Sequence, residues 1–128
     1  MTQKFGAGIW HFATYVDRYN TEGYGEPRSV LDAIKLAGQV KDLSVVDINF
    51  PYFGGSFSNQ EIKDELDKVN LEVIGITPEI YTKEFRKGAF TNPDSGIRNR
   101  AHELITEACD AVRFFNAAYV KLWPGQDG

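Results

Sequence analysis

Trp10 and Trp123 stand on the first and last apolar strand-like runs of this chain, and the runs between them carry Asp47, Asn49 and Thr77, with Lys121 just before the second Trp. A Trp pair buries a large area with little loss of entropy, and a few placed amide, hydroxyl and charged groups beside it orient a small polar ligand. That combination suits a molecule with hydroxyls on its edge and C–H bonds on its face. The simpler alternative is that both indoles are core packing. His11 follows Trp10 and is the local candidate for a base; strand alternation turns it outward, which also fits a structural His between strand and helix. His102 falls off the apolar stripe of a helical segment and is expected to face solvent. Cys109 lies on that stripe; it has no second cysteine to pair with and is expected to be a small buried hydrophobe in a reducing compartment.

These residues need elements to hold them. Phe5 to Phe12 is short, apolar and glycine-bearing, and leads into a polar stretch from Tyr15 to Pro27, a strand followed by a loop. Ser29 to Gly38 sets Val30, Leu31, Ile34 and Ala37 on one helical face, with Ser29 as N-cap. Leu43 to Phe50 is a second strand ended by Pro51. Ser58-Asn-Gln-Glu61 matches a capping box and opens a second helix with Ile62, Leu66 and Val69 on its apolar face. Leu71 to Thr77 is a third strand stopped by Pro78. The loop from Glu79 to Pro93, of about fifteen residues, is long enough to be functional or mobile. Asp94 and Ser95 then cap a third helix, in which Ile97, Ala101, Leu104, Ile105, Ala108, Val112 and Phe115 recur at helical spacing until Asn116. Tyr119 to Trp123 is a fourth strand.

Strand and helix alternate with a period of roughly thirty to forty residues, which implies crossover connections and a parallel sheet, so the fold class is α/β. No Gly-x-Gly-x-x-Gly leads from the first strand into a helix and no Walker-type Gly-Lys-Ser/Thr exists, so nucleotide cradles are absent. If Trp10 and Trp123 point to one side, period two adds Gly8, Thr77, Tyr119 and Lys121, and one of the two registers open to the second strand adds Asp47 and Asn49. That surface is too polar to lie under helices. It suits the interior of a (β/α)8 barrel, whose sites lie at the C-terminal ends of the strands. Residues 1–128 are therefore expected to be the N-terminal half of such a barrel, four parallel strands with three intervening helices. The final Trp-Pro-Gly-Gln-Asp-Gly, with no helix after it, reads as a cut through a larger fold. The isolated segment would then have open sheet edges and would not be a stable monomer.

Composition agrees with a globular chain: 128 residues are 42% hydrophobic, 25% charged and 13% aromatic. A net charge of -4 and the lack of basic clusters exclude non-specific binding to nucleic acid or anionic membranes. With no signal-peptide-like start and no apolar run near ~20 residues, a cytoplasmic protein is expected.

Phe5-Gly-Ala-Gly-Ile-Trp-His11, Val46-Asp-Ile-Asn-Phe-Pro51, Val73-Ile-Gly-Ile-Thr77 and Val120-Lys-Leu-Trp-Pro-Gly-Gln-Asp-Gly128 together resemble the first half of the xylose isomerase-like barrels. The resemblance covers essentially the whole chain, and its most specific piece is the Trp-Pro-Gly-Gln-Asp-Gly end, similar to the Trp-Gly-Gly-x-Glu-Gly turn of the isomerases. It implies a sugar isomerase or ketose epimerase that moves a proton next to a sugar carbonyl. Trp10 and Trp123 would wall the C–H face of the sugar, and Asn49, Thr77 and Asp127 would bind it. The isomerases' ring-opening His aligns with Pro51, so ring opening would need another base, for which His11 is the candidate.

The resemblance further implies a divalent metal, Mn²⁺, Mg²⁺ or Co²⁺, held by strands beyond this segment; Glu79 and Asp127 could each add one outer-shell carboxylate, and no metal site is expected within residues 1–128. The implied partners are a sugar, the remaining barrel half or a partner chain, and an oligomer. Two alternatives stay open: a subunit of a C-glycoside deglycosidase acting by β-elimination on a 3-oxo-glycoside, and a non-catalytic sugar-binding half-barrel. The endonuclease branch is disfavoured by the acidic balance.

Overall fold

The computed structural model describes residues 3–14, 20 and 23–125. Among them, β1 (Phe5–Gly8), β2 (Leu43–Phe50), β3 (Glu72–Pro78) and β4 (Tyr119–Val120) form a sheet in the order β1-β2-β3-β4, with every neighbouring pair parallel. Between them run α1 (Val30–Ala37), α2 (Asn59–Lys68) and α3 (Ser95–Phe115).

Each helix starts where its polar residues satisfy the orphan N–H groups of the first turn. The Asp32 N–H donates to Ser29 Oγ at 3.2 Å. At α2 the capping box is complete: the Glu61 N–H donates to Ser58 Oγ at 3.2 Å, and the Ser58 N–H donates to Glu61 Oε2 at 2.8 Å. Asp94 alone caps α3, its Oδ1 accepting the Gly96 N–H at 2.7 Å, and Ser95 is the first helical residue rather than a second cap. Asn116 ends α3 in the left-handed region at φ 53°, where Asn is among the few tolerated side chains.

All three helices lie on one face of the sheet. Val30 and Ile34 of α1, Ile62 and Leu66 of α2, and Ala108 and Ala111 of α3 share one buried cluster with Val46 and Ile48 of β2 and Val73 and Ile76 of β3. Burial of each large aliphatic side chain stabilises by about 1.5–3 kcal/mol relative to exposure. A doubly wound sheet would place helices on both faces. Sequential strand order with every helix on one face is instead the arrangement of a barrel wall, and the architecture is an α/β half-barrel.

Two expectations about strand length need correction, and the long loop takes a definite form. β1 ends at Gly8, and Ile9–Phe12 form a 3-10 turn closed by Ala13 N–H donating to the Trp10 carbonyl at 3.3 Å, so strand alternation does not reach Trp10. β4 is regular only over Tyr119–Val120, although the Lys121 N–H still donates to Ile76 O at 2.9 Å. The loop from Glu79 to Pro93 contains a 3-10 turn at Lys83–Phe85, and Ile80, Phe85 and Ala89 form a second small core with Ala101 and Leu104 of α3. It is packed down. No helix among the described residues is long and apolar enough to cross a membrane.

Candidate functional site

The face of the sheet away from the helices is polar, and its composition follows from one irregularity. Val46 pairs with Val73 but Asp47 pairs with Gly75, so β3 carries an extra residue, Ile74, at a β-bulge. Val73 and Ile76 can then both face the helices although they are three apart, and Gly75 and Thr77 turn to the opposite side beside Asp47 and Asn49. This settles the register of β2. Asp47, Asn49 and Thr77 are all buried on the concave face.

Asp47 is the hub of that face. Thr77 Oγ1 donates to its Oδ1 at 2.6 Å, Tyr119 OH donates to its Oδ2 at 3.1 Å, and Lys121 Nζ lies 3.2 Å from the same Oδ2. A carboxylate buried without such partners would cost several kcal/mol. The Tyr119 phenol is raised above its ordinary pKa, first by burial and then by the Asp47 charge it faces. Lys121 also places its ammonium 4.3 Å from the centroid of the Trp10 ring, so one carboxylate fixes both a cation and, through it, an indole.

Two glycines let rings lie on the sheet. A Cβ on Gly8 would stand 2.1 Å from the Trp10 ring, and one on Gly75 would stand 2.1 Å from the Tyr119 ring. Trp10, Asp47, Ile74, Tyr119 and Lys121 enclose with Gly8 an open depression of about 310 Å³.

Nearer the C-terminal ends of the strands lies a second group. Asn49 Nδ2 donates to Tyr81 OH at 2.7 Å, while Asn49 Oδ1 is buried with no hydrogen-bond partner. Burial raises the Tyr81 phenol, and the charge of Glu79 adds to it. Glu79 is half-buried, its N–H tied to Phe50 O at 2.8 Å, and burial pushes its carboxyl up to about 7. The Trp123 ring sits 6.3 Å from that of Tyr81, tilted by 49°.

The structure thus brings together Trp10, Asn49, Thr77 and Trp123 on one wall of the molecule. Trp123 is 64% exposed in this segment. His11 is exposed with its ring 5.8 Å from that of Trp10, and it does not line the depression. His102 is exposed near Phe90, and Cys109 is half-buried. Asp127 lies outside the described residues. Sequence reasoning missed Tyr81 altogether, as well as the role of Gly75. Tyr81 sits in a loop where no periodicity applies, and Gly75 reads as an ordinary strand residue. Among the described residues no three His, Cys, Asp or Glu side chains converge as metal donors. The described residues do not by themselves fit a divalent ion.

The chain is an α/β half-barrel with a polar, aromatic-walled concave face, and barrels of this class carry their sites at the C-terminal ends of the strands. No family model matches the chain. It is similar to a xylose isomerase of Thermus thermophilus, at 24% identity over 137 residues, which cover 98% of this chain. The chain spans about a third (34%) of the length of that curated relative.

Proposed function

We propose that this chain supplies one half of the sugar site of an isomerase or epimerase that moves a proton next to a sugar carbonyl. The observation that carries the reading is the concave wall. Asp47, Thr77, Tyr119 and Lys121 form a closed network beneath it, and Trp10 and Trp123 offer ring faces beside it. A sugar presents the complement, C–H bonds on its face and hydroxyls on its edge. The similarity to a xylose isomerase supports the same substrate class. In this reading Asn49 and Thr77 orient the sugar, Trp10 and Trp123 hold its faces, Asp127 adds a further sugar contact, and His11 is the candidate base. His11 has the least support, since it is exposed and outside the depression.

The proposal extends to the rest of the protein. The open edges of β1 and β4 are closed by further strands or by a partner chain, an oligomer results, and the divalent metal is held by residues outside those described. A cytoplasmic setting belongs to the same reading. The test is an aldose–ketose assay of the full-length protein with a panel of pentoses and hexoses. EDTA is expected to abolish turnover, and Mn²⁺, Mg²⁺ or Co²⁺ to restore it. Full activity after exhaustive chelation would remove the metal from the reading. No interconversion of any sugar, with cleavage of a 3-oxo-C-glycoside in its place, would replace isomerase with β-eliminating deglycosidase.

A further inference from the structure

We propose that Lys121 determines specificity: its ammonium fills a cation site made by Asp47 and the Trp10 ring and so keeps positively charged ligands off the concave wall. The inference deepens the sugar reading above and rests on it only for the ligand class, neutral sugars against amino sugars. Its starting point is the pair of groups that the lysine meets. Lys121 Nζ lies 3.2 Å from Asp47 Oδ2 and 4.3 Å from the centroid of the Trp10 ring. A carboxylate and an aromatic face are the groups by which proteins hold ammonium ligands. Here the ligand is a side chain of the protein itself.

The two partners are held independently of the lysine. The Asp47 side chain is 6% exposed, and Thr77 Oγ1 and Tyr119 OH donate to it at 2.6 and 3.1 Å. The Trp10 ring lies against Gly8, where a Cβ would stand 2.1 Å from it. The backbone of β1 thus gives the ring room but no attraction that turns it, and the ammonium supplies that attraction. The lysine side chain is 39% exposed and lines the open depression together with both partners. A ligand in the depression meets all three groups directly.

Charge decides what can take the place of the lysine. Asp47 alone would be a buried carboxylate without a counter-charge, which is costly, whereas the pair is neutral. An amino sugar bringing its own ammonium to Asp47 and Trp10 has to displace one that is tethered beside them at high effective concentration. A neutral sugar meets no such competitor.

The test follows the indole N–H signal of Trp10 by NMR in the full-length protein, the signal identified by its loss in Trp10→Phe. Lys121→Ala should move that signal. n-Propylammonium, which replaces the deleted part of the side chain, should move it back, and n-propanol, similar in shape but uncharged, should not. The wild type, with its site filled, should not respond to n-propylammonium at concentrations that saturate Lys121→Ala. Calorimetry then compares D-glucose with protonated D-glucosamine. The wild type should bind the amino sugar about 3- to 10-fold more weakly, and Lys121→Ala should abolish or reverse that preference. An unmoved Trp10 signal in Lys121→Ala, or equal restoration by propanol, overturns the cation site. Equal affinity of the wild type for the two sugars overturns the exclusion. If neither sugar binds, while n-propylammonium restores Trp10 in Lys121→Ala and leaves the wild type untouched, the sugar reading falls and the role of Lys121 stands. Should Lys121→Ala fail to fold, the wild type decides: its Lys121 ε-methylene protons should be shifted upfield by the indole and return towards ordinary values in Trp10→Leu. Unshifted protons overturn the site.

Discussion

The two faces of this sheet are made by alternate residues of the same strands, yet they are finished to different standards. On the helix side Val46, Ile48 and Ile76 are fully buried among mostly aliphatic neighbours, and the Tyr52 hydroxyl in the same cluster is satisfied by donating to Asn59 Oδ1 at 2.6 Å. On the concave side Asp47 is saturated with donors, whereas Asn49 keeps an empty acceptor and Glu79 holds a carboxyl that burial has made reluctant to ionise. A fold that sought only stability would not leave those two groups as they are. The helix side holds the sheet together, and under the proposed function the concave side gives up part of that stability for recognition.

The largest effect should come from the helix side. Ile48→Ala or Ile76→Ala removes a fully buried side chain and should cost about 2–5 kcal/mol in urea unfolding, independently of pH. If either costs less than the polar-face changes that follow, the division between the faces is wrong. Asp47→Asn comes next, at about 1–3 kcal/mol, because Thr77, Tyr119 and Lys121 lose the charge that gathers them. It should also free Lys121 from the Trp10 ring, seen as a change in the indole fluorescence.

Glu79→Gln should have the opposite sign. The folded state raises the Glu79 pKa from 4.5 to about 7, so between those values the folded protein binds more protons than the unfolded one. Stability attributable to this group is greatest below pH 4.5 and falls as pH rises towards 7. Glutamine lacks that titration, so at pH 8 the variant should be more stable than the parent by about 1–2 kcal/mol, a figure discounted for partial exposure, with the gap closing at pH 4.5. Paired melts at the two pH values check it, and a variant less stable than the parent at pH 8 contradicts it. Trp123→Ala should move stability least, by under about 0.5 kcal/mol, since the ring is exposed. Sugar affinity should nonetheless fall by about 1–3 kcal/mol, the loss of a large aromatic contact. Unchanged affinity with a strongly lowered melting point would return Trp123 to a packing role.

Much of the scaffold is written locally. Ser29, Ser58 with Glu61, and Asp94 each act within one helical turn, so their caps are visible in the chain itself, as are the apolar stripes behind them. The concave wall was legible as a list of polar residues on strands but not as a network. Whether Asp47 and Asn49 face inward depends on the bulge at Ile74 and on a partner thirty residues away in sequence. Trp10 reaches the wall through a 3-10 turn that strand alternation does not describe. Glu79 and Tyr81 follow Pro78, which reads as the stop of a strand and is in fact its last residue.

The glycines under the two rings carry a consequence for how this surface can be reshaped. Trp10 over Gly8 and Tyr119 over Gly75 occupy the space that a side chain from the strand itself would fill, so part of the floor of the depression is furniture rather than masonry. Its depth changes only where Tyr119 lets go of Asp47 or Trp10 leaves the Lys121 ammonium, and every strand keeps its hydrogen bonds when that happens. An alanine at Gly8 or Gly75 would evict the ring above it, converting an adjustable floor into a fixed one. Two single-residue changes are therefore enough to reshape the depression without touching the strands that frame it.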